Sequence, residues 1–177
     1  MPYQTRIENI DLADVPFADD LLEAFDERCF QIVETFLGSV DLSKVRGCYH
    51  PDYAGMTWGQ LKPVLGSVEG DRNDPKVAFQ SLKRAVDNAK DLHRNPDCYL
   101  GKDEKDHWSF YELSGEYFIS SGVHRTVIGR FFFWLNGLPP LVHGVSVTRL
   151  KAATPKMVVE DERQLSIAER IKHALFG

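Results

Sequence analysis

Glu116-Tyr117-Phe118-Ile119-Ser120-Ser121-Gly122-Val123-His124-Arg125-Thr126 is the stretch from which the rest of the chain is read. Residues 117–121 carry the aromatic and β-branched side chains of a strand, Gly122 punctuates it, and a helical pattern begins directly behind it. Asn136-Gly137-Leu138-Pro139-Pro140 stops that helix, and residues 141–150 return as a Val-rich strand. The expected unit is a strand, a tight glycine turn, a helix of about three turns and a second strand, a βαβ unit with a short crossover. The first turn of such a helix leaves backbone N–H groups unpaired, and with the helix dipole they form an anion site. Gly122 lets a ligand approach the backbone, and His124 and Arg125 supply donors suited to phosphate oxygens. Ser120, Ser121 and Thr126 flank the turn and complete the candidate phosphate-binding set.

Charge points to the same region. Residues 117–159 contain no Asp or Glu but do contain Arg125, Arg130, Arg149, Lys151 and Lys156. The other 16 basic residues and all 26 acidic ones lie elsewhere, so that remainder carries −10 within a chain of net charge −5. An acidic protein has kept one basic stretch around its glycine turn, which suits a phosphate-rich partner. Arg130, Arg149 and Lys151 are the candidate contacts to a DNA backbone.

Upstream, residues 108–113 and 116–121 flank Ser114-Gly115 and predict a β-hairpin that delivers the second strand to the turn. Alternation places Trp108, Phe110 and Glu112 on one face. A carboxylate beside two aromatics needs a cation, and Arg125 or Arg149 is the expected partner. Glu112 and Glu116 are also the acids nearest the turn, and therefore the candidates for catalysis beside Arg125 and His124. The helix behind the turn, predicted over residues 126–136, is apolar on nearly every side, so it is expected to be buried or to lie under a partner. The apolar spacing of Leu165, Ala168, Ile171 and Leu175 offers one cover for it.

Residues 6–12 suit a short strand. Residues 18–37 show apolar side chains every three or four positions and predict a long amphipathic helix ended by Gly38, its acids on a solvated face. Residues 40–72, interrupted by five glycines and Pro63, predict an irregular loop or insertion. Asp74-Pro75 opens a helix that Asn95-Pro96 ends, with Lys76, Lys83, Arg84 and Lys90 on its solvated side. Cys29, Cys48 and Cys98 have neither disulfide nor metal spacing, and Cys48-Tyr49-His50 lacks a second pair that would make it a metal site. No apolar run reaches the roughly 20 residues a membrane span requires, and the first residues lack the apolar core of a signal peptide, so a cytoplasmic protein without membrane insertion is expected. Gly-x-Ser-x-Gly, Walker and zinc-protease motifs are absent. These observations predict one domain over residues 1–177 of α/β or α+β class, a small mixed sheet with a strand, Gly-x-His-Arg turn, helix and strand core, flanked by three or four helices.

Residues 107–151, with Gly122-Val123-His124-Arg125 inside them, resemble the nucleotide-binding core of the ParB/sulfiredoxin superfamily, where a strand runs into a Gly-x-His-Arg or Gly-Glu-Arg-Arg turn. The resemblance implies a nucleotide-binding phosphohydrolase with ATP or another nucleoside triphosphate as ligand, Mg²⁺ or another divalent cation as cofactor, and DNA as a further ligand or DNase substrate. Sulfiredoxins carry a reactive cysteine after the glycine and partition proteins a glutamate. This chain has Val123 there, so sulfinic acid reduction is not expected. The chain is also similar in length to plasmid fertility-inhibition factors of the Osa type, which block conjugative, type IV secretion-dependent DNA transfer. That similarity implies an alternative: a non-enzymatic regulatory protein with a vestigial nucleotide site and a secretion or partition component as partner.

Overall fold

The computed structural model describes residues 2–153 apart from 65–69, 72 and 81; Lys156 and the apolar stripe at 165–175 lie outside the described residues. Among the described residues six strands form one mixed sheet: β1 (Glu23–Ala24), β2 (Phe30–Asp41), β3 (Val45–Cys48), β4 (Ser109–Leu113), β5 (Glu116–Ser121) and β6 (Leu141–Ala152), in the order β1-β3-β5-β4-β6-β2. The helices are α1 (Trp58–Leu61), α2 (Pro75–Gln80), α3 (Lys83–Arg94), α4 (Asp97–Leu100) and α5 (Val123–Leu135). The mixed α/β architecture with the hairpin, glycine turn, helix and returning strand is as expected.

One feature of that core is corrected. β5 and β6 are not neighbours; β4 lies between them, antiparallel to β5 and parallel to β6. The parallel pair is therefore β4 and β6, with β5 and α5 together forming the connection. The cause is the two-residue Ser114-Gly115 turn, which folds β5 back onto β4 at once and leaves the free edge of β4 for β6. On its other side β5 pairs in parallel with β3.

α5 is the core of the molecule. Val127, Ile128, Phe131 and Phe132 are fully buried and Phe133 nearly so. They meet the sheet through Phe110, Ile119, Val145 and Val147, while Trp58, Leu92 and Tyr99 reach the same cluster from α1, α3 and α4. On the opposite face of the sheet Phe25 stacks on Phe118 at 4.0 Å between ring centroids and on Phe30 at 5.4 Å. Burial of each such aromatic contributes on the order of 1.5–3 kcal/mol.

Three further expectations are overturned. Residues 18–37 are not a helix: turns cover 16–19 and 27–29, and β2 begins at Phe30. The segment Ile32-Val33-Glu34-Thr35-Phe36 is β-branched and aromatic, and pairing with β6 from Phe30↔Ala152 to Asp41↔Leu141 outweighs its helical spacing. Residues 6–12 form 3-10 turns rather than a strand, the second capped by Asp11, whose carboxylate accepts from the Ala13 N–H at 3.0 Å. The single helix expected after Asp74 is two, α2 and α3, although the Asp74 cap is present, accepting from the Lys76 N–H at 2.9 Å. The stretch 40–72 is partly regular, since it contains β3 and α1.

Candidate functional site

At the C-terminal end of β5 the chain turns through Gly122, which sits in the left-handed region at φ 81°. A Cβ at this position would lie 2.8 Å from Trp108 Cδ1 and 3.2 Å from the His107 carbonyl oxygen, so glycine is demanded both by conformation and by packing. Thr126 N–H and Thr126 Oγ1 both donate to the Gly122 carbonyl, at 2.9 and 3.0 Å, and Trp108 Nε1 donates to Thr126 Oγ1 at 2.9 Å. These bonds fix the first turn of α5. They also correct the role of Thr126, which is fully buried and commits its hydroxyl to the turn; it is not a phosphate ligand.

The turn opens onto a cleft of about 910 Å³ lined by Ser120, Ser121, Gly122, Val123, His124 and Arg125. Five of the six expected phosphate-binding residues therefore converge. The opposite wall, which the sequence reading did not assign, comes from His50, Tyr53, Leu82, Arg84, Asp87, Asn88 and His107. Arg84, expected on the solvated side of its helix, faces the cleft because α3 packs on α5. The i, i+4 spacing of Arg84 and Asn88 was the available signal.

His124 is wedged in an aromatic stack, parallel to Phe79 at 4.8 Å and edge-on to Tyr53 at 5.8 Å. Burial, reinforced by Arg84 and His50, lowers its pKa to about 4. It is thus a neutral imidazole at physiological pH, and its Nδ1 is enclosed without a hydrogen-bond partner. Arg125 Nη1 donates to the Asp106 carbonyl at 2.8 Å, which steadies the guanidinium beside the helix terminus while leaving further donors. Ser121 Oγ and Ser109 Oγ share a 2.8 Å hydrogen bond.

Five candidates lie away from this cleft. Glu116 binds Arg46 at 2.8 Å at the start of β5, roughly 17 Å along the strand from Ser121. Glu112 accepts from Arg149 Nε at 2.6 Å and from the Gly115 N–H at 2.9 Å, and Arg149 also pairs with Glu34. The expected cation for Glu112 is thus Arg149, not Arg125, and the group is structural. Arg149 is spent between two carboxylates and is no free DNA contact. Lys151 is exposed on β6, five residues past Ser146, the register partner of Ser109 near the turn.

Arg130 is corrected most sharply. It is 8% exposed and lies 4.1 Å from both the Phe17 and Trp58 ring centroids, with Asp20 at 3.6 Å. Burial lowers its pKa to about 10, so it remains charged, and two cation–π contacts replace its water. It cannot reach a DNA backbone.

For a divalent cation, Glu112 and Glu116 do not fit a site at the turn. Asp87 is the carboxylate that lines the cleft, and among the described residues no group of three His, Cys, Asp or Glu is arranged to hold a metal. The described helices include none long and apolar enough to cross a membrane.

Fold and site together define an α/β protein with an open cleft at a glycine-capped helix N-terminus. The chain matches no protein-family model, no curated protein and no solved structure.

Proposed function

We propose that this cleft binds a nucleoside phosphate, ATP being the expected ligand, and that the protein is a phosphohydrolase of ParB/sulfiredoxin-like kind. The observation that carries the reading is the convergence of Ser120, Ser121, Gly122, His124 and Arg125 on one cleft at the N-terminus of a 13-residue helix. Backbone N–H groups of residues 123–125 have no helical acceptor and point toward the phosphates. Arg125 and Arg84 offset the charge on the transferring phosphoryl group. His124, neutral, acts as a hydrogen-bonding wall rather than as a cation, and Asp87 takes the place of Glu112 and Glu116 as the carboxylate available to orient a water. A DNA ligand, also implied by the resemblance, is left with the cations of this cleft and the exposed Lys151, because Arg130 is buried against Phe17 and Trp58 and Arg149 is held between Glu112 and Glu34.

Calorimetric titration with ATP tests this. Arg125→Ala removes a charge-assisted donor worth about 1.5–3 kcal/mol, so affinity falls by at least about tenfold. Equal affinity in wild type and variant overturns the reading.

A second reading comes from another class: a non-enzymatic regulatory protein that binds a secretion or partition component, as in plasmid fertility inhibition of conjugative transfer. Val123, a buried apolar side chain at the family's chemical position, favours it, as does the outer edge of β2, where Ile32, Val33 and Leu37 are each at least half exposed. Purified protein that binds such a component yet hydrolyses neither ATP nor plasmid DNA would select this reading over the first.

A further inference from the structure

Beside the cleft lies a second cavity of about 390 Å³, and Asn88 and Arg125 line both. Arg125 therefore stands as a partition between two adjoining spaces. α3 forms their common side, because Arg84, Asn88, Asp91 and Arg94 recur at three- and four-residue intervals along one helix face. The second cavity adds Arg94 and Lys105 above an aromatic wall of Tyr99 and Trp108. Its lining holds three cations, Arg94, Lys105 and Arg125, against one acid, Asp91, so a local surplus of positive charge persists in a chain of net charge −5.

Donors remain available there. Lys105 Nζ gives hydrogens to the Gly101 and Asp103 carbonyls, at 2.7 and 3.1 Å, which leaves the third of its three. Carbonyl partners anchor the ammonium without neutralising it. Arg94 Nη1 is 3.4 Å from Asp91, but its side chain is 76% exposed, and such a pair holds its partner only weakly. The volume falls within the range of small-molecule sites, roughly 300–1,000 Å³.

Building on the phosphate reading of the first cleft, we propose that the second cavity is an anion subsite that extends it, so that beside a nucleoside triphosphate the site takes ligands with two phosphate groups a ribose apart, one on each side of Arg125. The phosphates of a nucleoside triphosphate are contiguous and fit the first cleft alone. Phosphates separated by a sugar occur in a nucleoside 3′,5′-bisphosphate and in successive units of a nucleic-acid strand, and both present the same chemistry to Arg125, Arg94 and Lys105.

The test is titration of the full chain with adenosine 5′-monophosphate, adenosine 3′,5′-bisphosphate and the 5′-phosphorylated dinucleotide pdTpdT. The bisphosphate is expected to bind at least about tenfold tighter than the monophosphate, the gain of one charge-assisted contact. Arg94→Gln, at an exposed position that folding tolerates, abolishes that advantage and leaves monophosphate affinity in place; Lys105→Gln does the same. A dinucleotide that matches the bisphosphate identifies a strand as the natural source, and one that binds no better than the monophosphate identifies the free bisphosphate. Equal binding of monophosphate and bisphosphate, or an equal loss of both in Arg94→Gln, overturns the subsite while the first cleft stands. Absence of binding by all three to wild type removes the first cleft's reading and the subsite with it.

Discussion

A single side chain, His124, couples the cleft to stability. Its folded pKa of about 4 lies below the ordinary value of 6.5, because burial and the neighbouring Arg84 and His50 penalise the imidazolium. The unfolded chain therefore binds a proton that the folded one refuses, and stability is lost as pH falls from about 6.5 toward about 4, levelling off below. Chemical denaturation across that window, wild type against His124→Gln, is expected to show a shallower acid loss in the variant; parallel curves would place the acid sensitivity elsewhere. At this scale the sequence was legible where chemistry is local and opaque where burial decides. Gly122, His124 and Arg125 were identifiable because a strand, a glycine and a helix start adjoin in the chain. Arg130, Arg149 and Thr126 were misassigned because residue type reveals charge and hydrogen-bonding capacity, whereas Phe17, Trp58, Glu34 and Trp108, brought in by other elements, determine whether that capacity is already used.

Among the elements, the β5–α5 junction is the tightest. Gly122→Ala places a side chain on a left-handed residue and against Trp108, and is expected to cost about 1–3 kcal/mol, seen as a lower urea midpoint at unchanged slope. A variant as stable as wild type would mean that Trp108 yields freely. The hairpin around Ser114-Gly115 and the strand after Pro140 were readable from turn chemistry. The strand at residues 30–41 was not, because its apolar positions fall at helical as well as extended spacing, and its partner β6 lies about 100 residues away. Likewise, no local pattern shows that β4 inserts between β5 and β6; that follows from which edge remains free once the hairpin has closed.

For the molecule as a whole, β2 is the strand whose edge and apolar side chains lie open among the described residues. It is a 12-residue edge strand without lysine or proline, and its one internal acid before Asp41, Glu34, is taken up by Arg149. Natural edges of this length usually carry such guards. Leu37→Lys, at a position 55% exposed, is expected to change stability by no more than about 0.5 kcal/mol while reducing light scattering at high protein concentration. Unchanged scattering would show that the bulges near Val33 and Gly38 already protect the edge.

The sheet order also dictates a sequence of events on the ribosome. Among the described residues β2 has β6 as its only strand neighbour, and β6 is synthesised about 100 residues later. At translation rates of about 5–20 residues per second, the nascent strand waits roughly 5–20 s with both edges open. Residues 109–152, by contrast, hold a hairpin, a helix and a strand whose partners are close in the chain, and can assemble soon after they emerge. One of the two longest strands of the sheet is thus among the first parts made and among the last to be paired, and its scarcity of charge is borne by the growing chain before it is borne by the finished protein.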